Sequence, residues 1–168
     1  MGIPFKIHAT HALAHGEQHA GEIAIKLLPR LVEQLEGPAG RLQVQLEATR
    51  APGYPMVRGR VQGLLPLACR RCGKSFEWPL DVTLNLRLVR SDDEERNALH
   101  DCDPYRVEND ELPLHEMVED EVLLALPMLP RCPACENAVL AAAPAEMPKL
   151  EEPRRDNPFA ALKKQLKK

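Results

Sequence analysis

Four of the five cysteines fall in two short pairs, Cys69-Arg70-Arg71-Cys72 and Cys132-Pro133-Ala134-Cys135. Two residues between thiols let both sulfurs of a tight turn point at one ion, and four thiolates complete a tetrahedral Zn2+ site. Such a site is structural in type, because with every position filled by protein none is left open to activate a water. The gap between the pairs exceeds that of a compact zinc ribbon, so their meeting depends on the fold. The rival chemistry is dithiol redox, but neither pair opens a helix after a strand in a βαβ pattern, the context of a thioredoxin-like site. Free thiols or local disulfides are the remaining alternative, the latter disfavoured in a reducing cytosol. Cys102 is an odd thiol in an acidic stretch and falls outside the site.

If the cysteines meet, the elements around them must bring them together. After Gly37-Pro38-Ala39-Gly40, the residues Leu42, Val44, Leu46 and Ala48 alternate with polar ones, which predicts a half-buried strand. Met56 to Gln62 reads as the returning strand after Pro52-Gly53, and Leu64 to Ala68 leads into the first pair. The alternation is cleanest from Phe76 to Leu88, predicting a long strand whose inner face carries Phe76 and Trp78 as core residues. Ser91 to Glu111 has no periodicity and predicts a mobile loop. After Pro113, Leu114, Met117, Val118, Val122 and Leu126 recur at helical spacing, with His115, Glu116, Glu119 and Asp120 opposite, and Pro127 stops the helix. Nearer the start, a short helix from Pro29 to Leu35 competes with one long helix over 17–36, which Pro29 would penalise by about 3 kcal/mol. The fold class predicted is α+β: an antiparallel sheet with a few short helices, a zinc-ribbon-like four-cysteine clip and a flexible C-terminal tail. Residues 1–137 are expected to form a single domain, and 138–168 an Ala/Pro-rich linker and basic amphipathic tail.

Charge is segregated. The net charge is −3, which argues against a wholly cationic RNA-binding surface. Between Ser91 and Glu121 acids face only Arg96 and Arg106, whereas Arg58, Arg60, Arg70, Arg71 and Lys74 precede the block and lysines end the chain. The preceding cations are candidate phosphate contacts. In the second reading the acidic helix, through Glu116, Glu119 and Asp120, engages a basic protein partner, without direct RNA contact. Phe159 and Leu162 share a side of the tail at helix spacing, as in a segment that folds on a partner. Four histidines, His8, His11, His15 and His19, lie at helix-like intervals and are read as ordinary polar residues. There is no phosphate-cradling glycine loop, no His-Glu-x-x-His helix and no nucleophile elbow, so no enzyme and no small-molecule substrate is expected. No apolar run reaches the roughly 20 residues of a membrane span, nor does the start have a secretory layout, so a cytoplasmic location with no membrane partner is expected.

The run Cys69-Arg70-Arg71-Cys72-Gly73-Lys74-Ser75-Phe76, the later Leu88-Val89-Arg90-Ser91-Asp92, the helix from Met117 to Pro127 and the ending Asn157-Pro158-Phe159-Ala160-Ala161-Leu162 together resemble the YceD family. The resemblance covers most of the chain from Cys69 onward. It implies a non-enzymatic factor needed for normal levels of the large subunit's 23S rRNA, with the RNA or its precursor, assembly intermediates or ribosomal proteins as partners. In that family the second cysteine pair is not intact in every member, whereas here it is complete. The implied function therefore does not depend on the metal.

Overall fold

The computed structural model describes residues 2–50 and 53–142. The chain divides into two units, Met1–Glu136 and Asn137–Lys168, and the site described below lies within the first. In order, the elements are β1 (Ile7–His8), α1 (Ala9–His15), β2 (Gln18–Ala24), a 3-10 turn (Ile25–Leu27), α2 (Pro29–Val32), β3 (Arg41–Arg50), β4 (Pro55–Ala68), β5 (Ser75–Val89), α3 (Asp92–Ala98), β6 (Asp103–Arg106), β7 (Glu111–Leu112), α4 (Leu114–Ala125) and α5 (Pro133–Ala142).

A five-stranded sheet in the order β2-β3-β4-β5-β6 dominates the molecule, and β1 pairs with β7 in a separate two-stranded ribbon. Among the described strands every ladder is antiparallel except that of β5 with β6, which is parallel. The period-two pattern has its expected effect: Leu42, Val44, Leu46 and Ala48 of β3, Val57, Val61, Leu65 and Leu67 of β4, and Leu80, Leu84, Leu86 and Leu88 of β5 are buried. All of these but Ala48 and Leu67 meet Ile25, Leu28 and Leu31 and the apolar stripe of α4 in one core. Leu114, Met117, Val118 and Val122 of that stripe are at most 1% exposed, and each contributes ~1.5–3 kcal/mol to holding α4 on the sheet. Gly59 faces inward on β4, and a Cβ there would lie 2.2 Å from the carbonyl oxygen of Gln45. Only glycine permits this close approach of β3 and β4.

The structure revises three expectations and decides between two readings of a fourth segment. Ser91 to Glu111 is not an unstructured loop: it holds α3, β6 and β7. Ser91 caps α3 by accepting from the Glu94 N–H, and four acids fill the first turn, where the positive end of the helix dipole favours them. Of the two readings of the early segment, the short helix beginning at Pro29 forms as α2, ending at Val32, and the competing long helix over 17–36 does not, its earlier span being taken by β2 and the 3-10 turn. On α4, His115 and Glu119 do not point to solvent and are 7% and 3% exposed, because partners from other elements reach them. Finally, the expected linker begins as helix, since α5 runs to Ala142. The rest of the linker and the tail, with Phe159 and Leu162, lie outside the described residues. Among the described residues no helix is long and apolar enough to cross a membrane.

Candidate metal centre and cationic hairpin tip

The first cysteine pair is the turn of the longest hairpin. Ladder pairing between β4 and β5 continues to Ala68 opposite Ser75, so Cys69 to Lys74 form the connection. The Cys69 N–H donates to the Lys74 carbonyl at 2.9 Å, and the Gly73 N–H donates back to the Cys69 carbonyl at 2.9 Å. Gly73 takes φ +71°, a left-handed conformation that glycine adopts without steric cost. This tightness turns both sulfurs to one side. The second pair follows α4, where Cys132 precedes α5 and its carbonyl accepts from the Cys135 and Glu136 N–H groups. Two further bonds tie the turns together: the Arg70 N–H donates to the Pro130 carbonyl at 2.9 Å, and Arg71 Nη1 donates to the Cys135 carbonyl at 3.2 Å.

The outcome is a cluster in which the Sγ atoms of Cys69, Cys72, Cys132 and Cys135 all lie within 4.8 Å of one another. Cys72 Sγ and Cys132 Sγ are 3.8 Å apart. Thiolates bound at about 2.3 Å to a tetrahedral ion sit roughly 3.8 Å apart, so the donor set fits a single small cation. No pair is bridged as a disulfide. Cys69 is buried, Cys132 and Cys135 are half-buried, and Cys72 is exposed. The backbone N–H groups of Cys132 and Cys72 converge on the Cys69 sulfur and lower its pKa to about 6. Cys135 is pushed the other way, to about 12, first by the neighbouring Cys132 sulfur and then by burial. Four sulfurs this close cannot all carry charge unless a cation lies among them. Cys102 is absent from the cluster, and so are the N-terminal histidines. His11 and His19 instead flank Glu17.

Of the candidate phosphate contacts, Arg70, Arg71 and Lys74 are together at the hairpin tip and exposed. None forms an ion pair among the described residues. The Arg70 bond to Pro130 brings Arg131, also exposed and without an ion pair there, to the same tip. Sequence reasoning missed Arg131 because its nearness depends on the two turns meeting. Arg58 and Arg60 are elsewhere: eight to ten residues back along β4 from Ala68, they lie roughly 30 Å away. Arg60 is committed to Asp81, its Nε 2.6 Å from Oδ1, while Arg58 donates to Asn85. Trp78 packs against the core, as expected, and Phe76 beside it is half-buried.

Of the acids proposed for a partner, only Glu116 is exposed. Glu119 accepts from the Leu31 N–H at 3.0 Å and from Arg30 Nε at 3.0 Å, so it caps the first turn of α2 from a neighbouring helix. Asp120 pairs with the same guanidinium at 2.6 Å. Burial and these bonds remove Glu119 from any docking surface, and the signal that sequence reading lacked was the distant Arg30.

With this geometry in view, comparison with known proteins is informative. A family model described as large ribosomal RNA subunit accumulation protein YceD matches residues 57–167, a span containing both cysteine pairs and α4. The chain is 29% identical over 152 residues to the large ribosomal RNA subunit accumulation protein YceD of Haemophilus influenzae, covering 86% of this chain and 84% of that relative. No solved structure matches the chain. The family match spans well over half of the sequence, and the chain belongs to the YceD family of large ribosomal RNA subunit accumulation proteins.

Proposed function

We propose that this chain is a non-enzymatic cytoplasmic factor that supports synthesis, processing or accumulation of 23S rRNA. In this reading it touches the RNA or its precursor, alone or in an assembly intermediate, with the cationic tip of the β4–β5 hairpin. The observation that carries the reading is the convergence of four sulfurs within 4.8 Å in the same two turns that carry four exposed cations without an ion pair among the described residues. Cys69, Cys72, Cys132 and Cys135 would hold Zn2+, which a tetrahedral set of four thiolates favours and which supplies structural cross-linking. The chain's own residues do the rest. The Gly73 turn and the Arg70 bond to Pro130 present Arg70, Arg71, Lys74 and Arg131 on one small surface. Such a surface attracts phosphates by releasing their counterions and reads no base edges, which suits a factor that recognises folded or partly assembled RNA by shape.

The test is binding of the purified full chain to 23S rRNA fragments over a salt series. Charge reversal by Arg70→Glu with Arg71→Glu should weaken binding and reduce the slope of log affinity against log salt by about 0.7–0.9 for each phosphate no longer neutralised. Unchanged affinity and slope would defeat direct contact through the tip and favour the adaptor reading, in which a basic ribosomal protein carries the chain to the RNA.

A further inference from the structure

We propose that a cleft on the flank of the molecule, away from the cysteines in sequence and built by other elements, docks a basic peptide segment of another protein. The segment would seat an aliphatic side chain against Phe5 and Leu27 and a lysine or arginine against Glu116. This goes beyond the RNA reading and uses different residues. The cleft, of about 490 Å³, is lined by the N-terminal segment, the 3-10 turn with α2, and the start of α4. Phe5 and Leu27 stand at its rim 60% and 42% exposed, an apolar surface that nothing among the described residues covers.

Charge selects the occupant. The cations lining the cleft are already committed, Lys6 to Glu111 at 2.7 Å and Arg30 to Glu119 and Asp120. Glu116 is left exposed and without an ion pair among the described residues. Burial first, and then the charges of Glu116, Asp120 and Glu108, push the Tyr105 hydroxyl up to about 12. A phosphate backbone is repelled there, and a basic polypeptide is attracted.

A second and independent feature is His115, which lines the cleft and is only 7% exposed. Its Nε2 lies 3.1 Å from the Ile3 carbonyl oxygen. A carbonyl only accepts, so in the neutral ring Nε2 carries the proton and Nδ1 presents a lone pair. That Nδ1 is buried and has no hydrogen-bond partner. Buried acceptors are nearly always satisfied, and a peptide N–H or side-chain donor entering the cleft would satisfy this one. The Phe5 ring stacks on the imidazole with centroids 4.0 Å apart and is mostly exposed, which places the apolar seat directly beside His115.

The test is selection of short random peptides by display against the full-length chain. Enriched sequences should place lysine or arginine within two positions of an aliphatic residue. Labelled copies should bind about tenfold more weakly to Glu116→Lys and to Leu27→Asp. Both changes are at exposed positions, and an unchanged far-UV spectrum verifies the fold. In nitrogen NMR the His115 Nδ1 resonance should move on binding, as its lone pair gains a donor. Enrichment of acidic sequences, no enrichment, or binding indifferent to both variants would overturn the proposal. RNA binding at the hairpin tip should be the same in both variants, so the failure of one reading is distinct from the failure of the other.

Discussion

Replacing Cys132 with serine removes one sulfur from the cluster and leaves the turn after α4 tied to the hairpin tip by the Arg70 and Arg71 hydrogen bonds. Cys72 and Cys132 are 60 residues apart, and pinning such a loop restricts the unfolded chain by about 4 kcal/mol on the relation used for disulfides. That figure is a ceiling, because β4, β5 and α4 are joined through the core whether or not a metal is present. With the core intact the metal closes only the stretch between Val122, the last buried residue of α4, and the knuckles, for which the same relation gives roughly 3 kcal/mol. We therefore expect Cys132→Ser to retain native secondary structure, to lose the Zn2+ proposed for the cluster, and to unfold in denaturant with ~3 kcal/mol less stability at an unchanged m-value. Wild-type protein stripped by a chelator should coincide with the variant, while Cys102→Ser should behave as wild type. Zinc content by mass spectrometry and denaturation followed by circular dichroism measure both quantities. A Cys132→Ser protein as stable as wild type, or a wild type indifferent to chelation, would refute the reasoning.

Three other outcomes follow from the packing. Glu119→Ala leaves the Leu31 N–H buried without an acceptor and should cost about 1–3 kcal/mol in equilibrium denaturation, far more than Glu116→Ala on the exposed side of the same helix. Gly59→Ala forces a methyl group against the Gln45 carbonyl and should destabilise by about 1–3 kcal/mol, with thermal unfolding as the readout. Asp110 is held below the ordinary carboxylate range, chiefly by the hydrogen bond from Thr10 Oγ1 and also by Arg90. A depressed folded pKa means that its contribution is present above the unfolded carboxylate pKa and is lost as pH falls through the folded value. Asp110→Asn should therefore flatten the acid limb of a stability-versus-pH curve.

How much of this was legible in the sequence follows from which forces are local. The inner faces of β3, β4 and β5 could be read because period-two alternation is written residue by residue, and α4 because its apolar stripe is helical. The meeting of the cysteine pairs was anticipated from their chemistry alone. Strand β2 was not found, since at the sheet edge only Ile23 is buried and the alternation is faint. Helix α3 was missed for lack of apolar periodicity, although Ser91 followed three residues later by Glu94 carried the signature of a helix start. The parallel pairing of β6 with β5, the burial of Glu119 by Arg30 and Leu31, and the placing of Arg131 at the tip are all decided by residues distant in the chain. No local pattern encodes them.

The most direct measurement is ultraviolet crosslinking of the intact chain in growing cells, with identification of both the RNA and the peptide at each crosslink. Contact through the hairpin tip requires 23S rRNA or its precursor joined to peptides that contain Arg70, Arg71, Lys74 or Arg131. Crosslinks confined to the acidic face of α4, or an RNA-free chain attached only to protein, would contradict it.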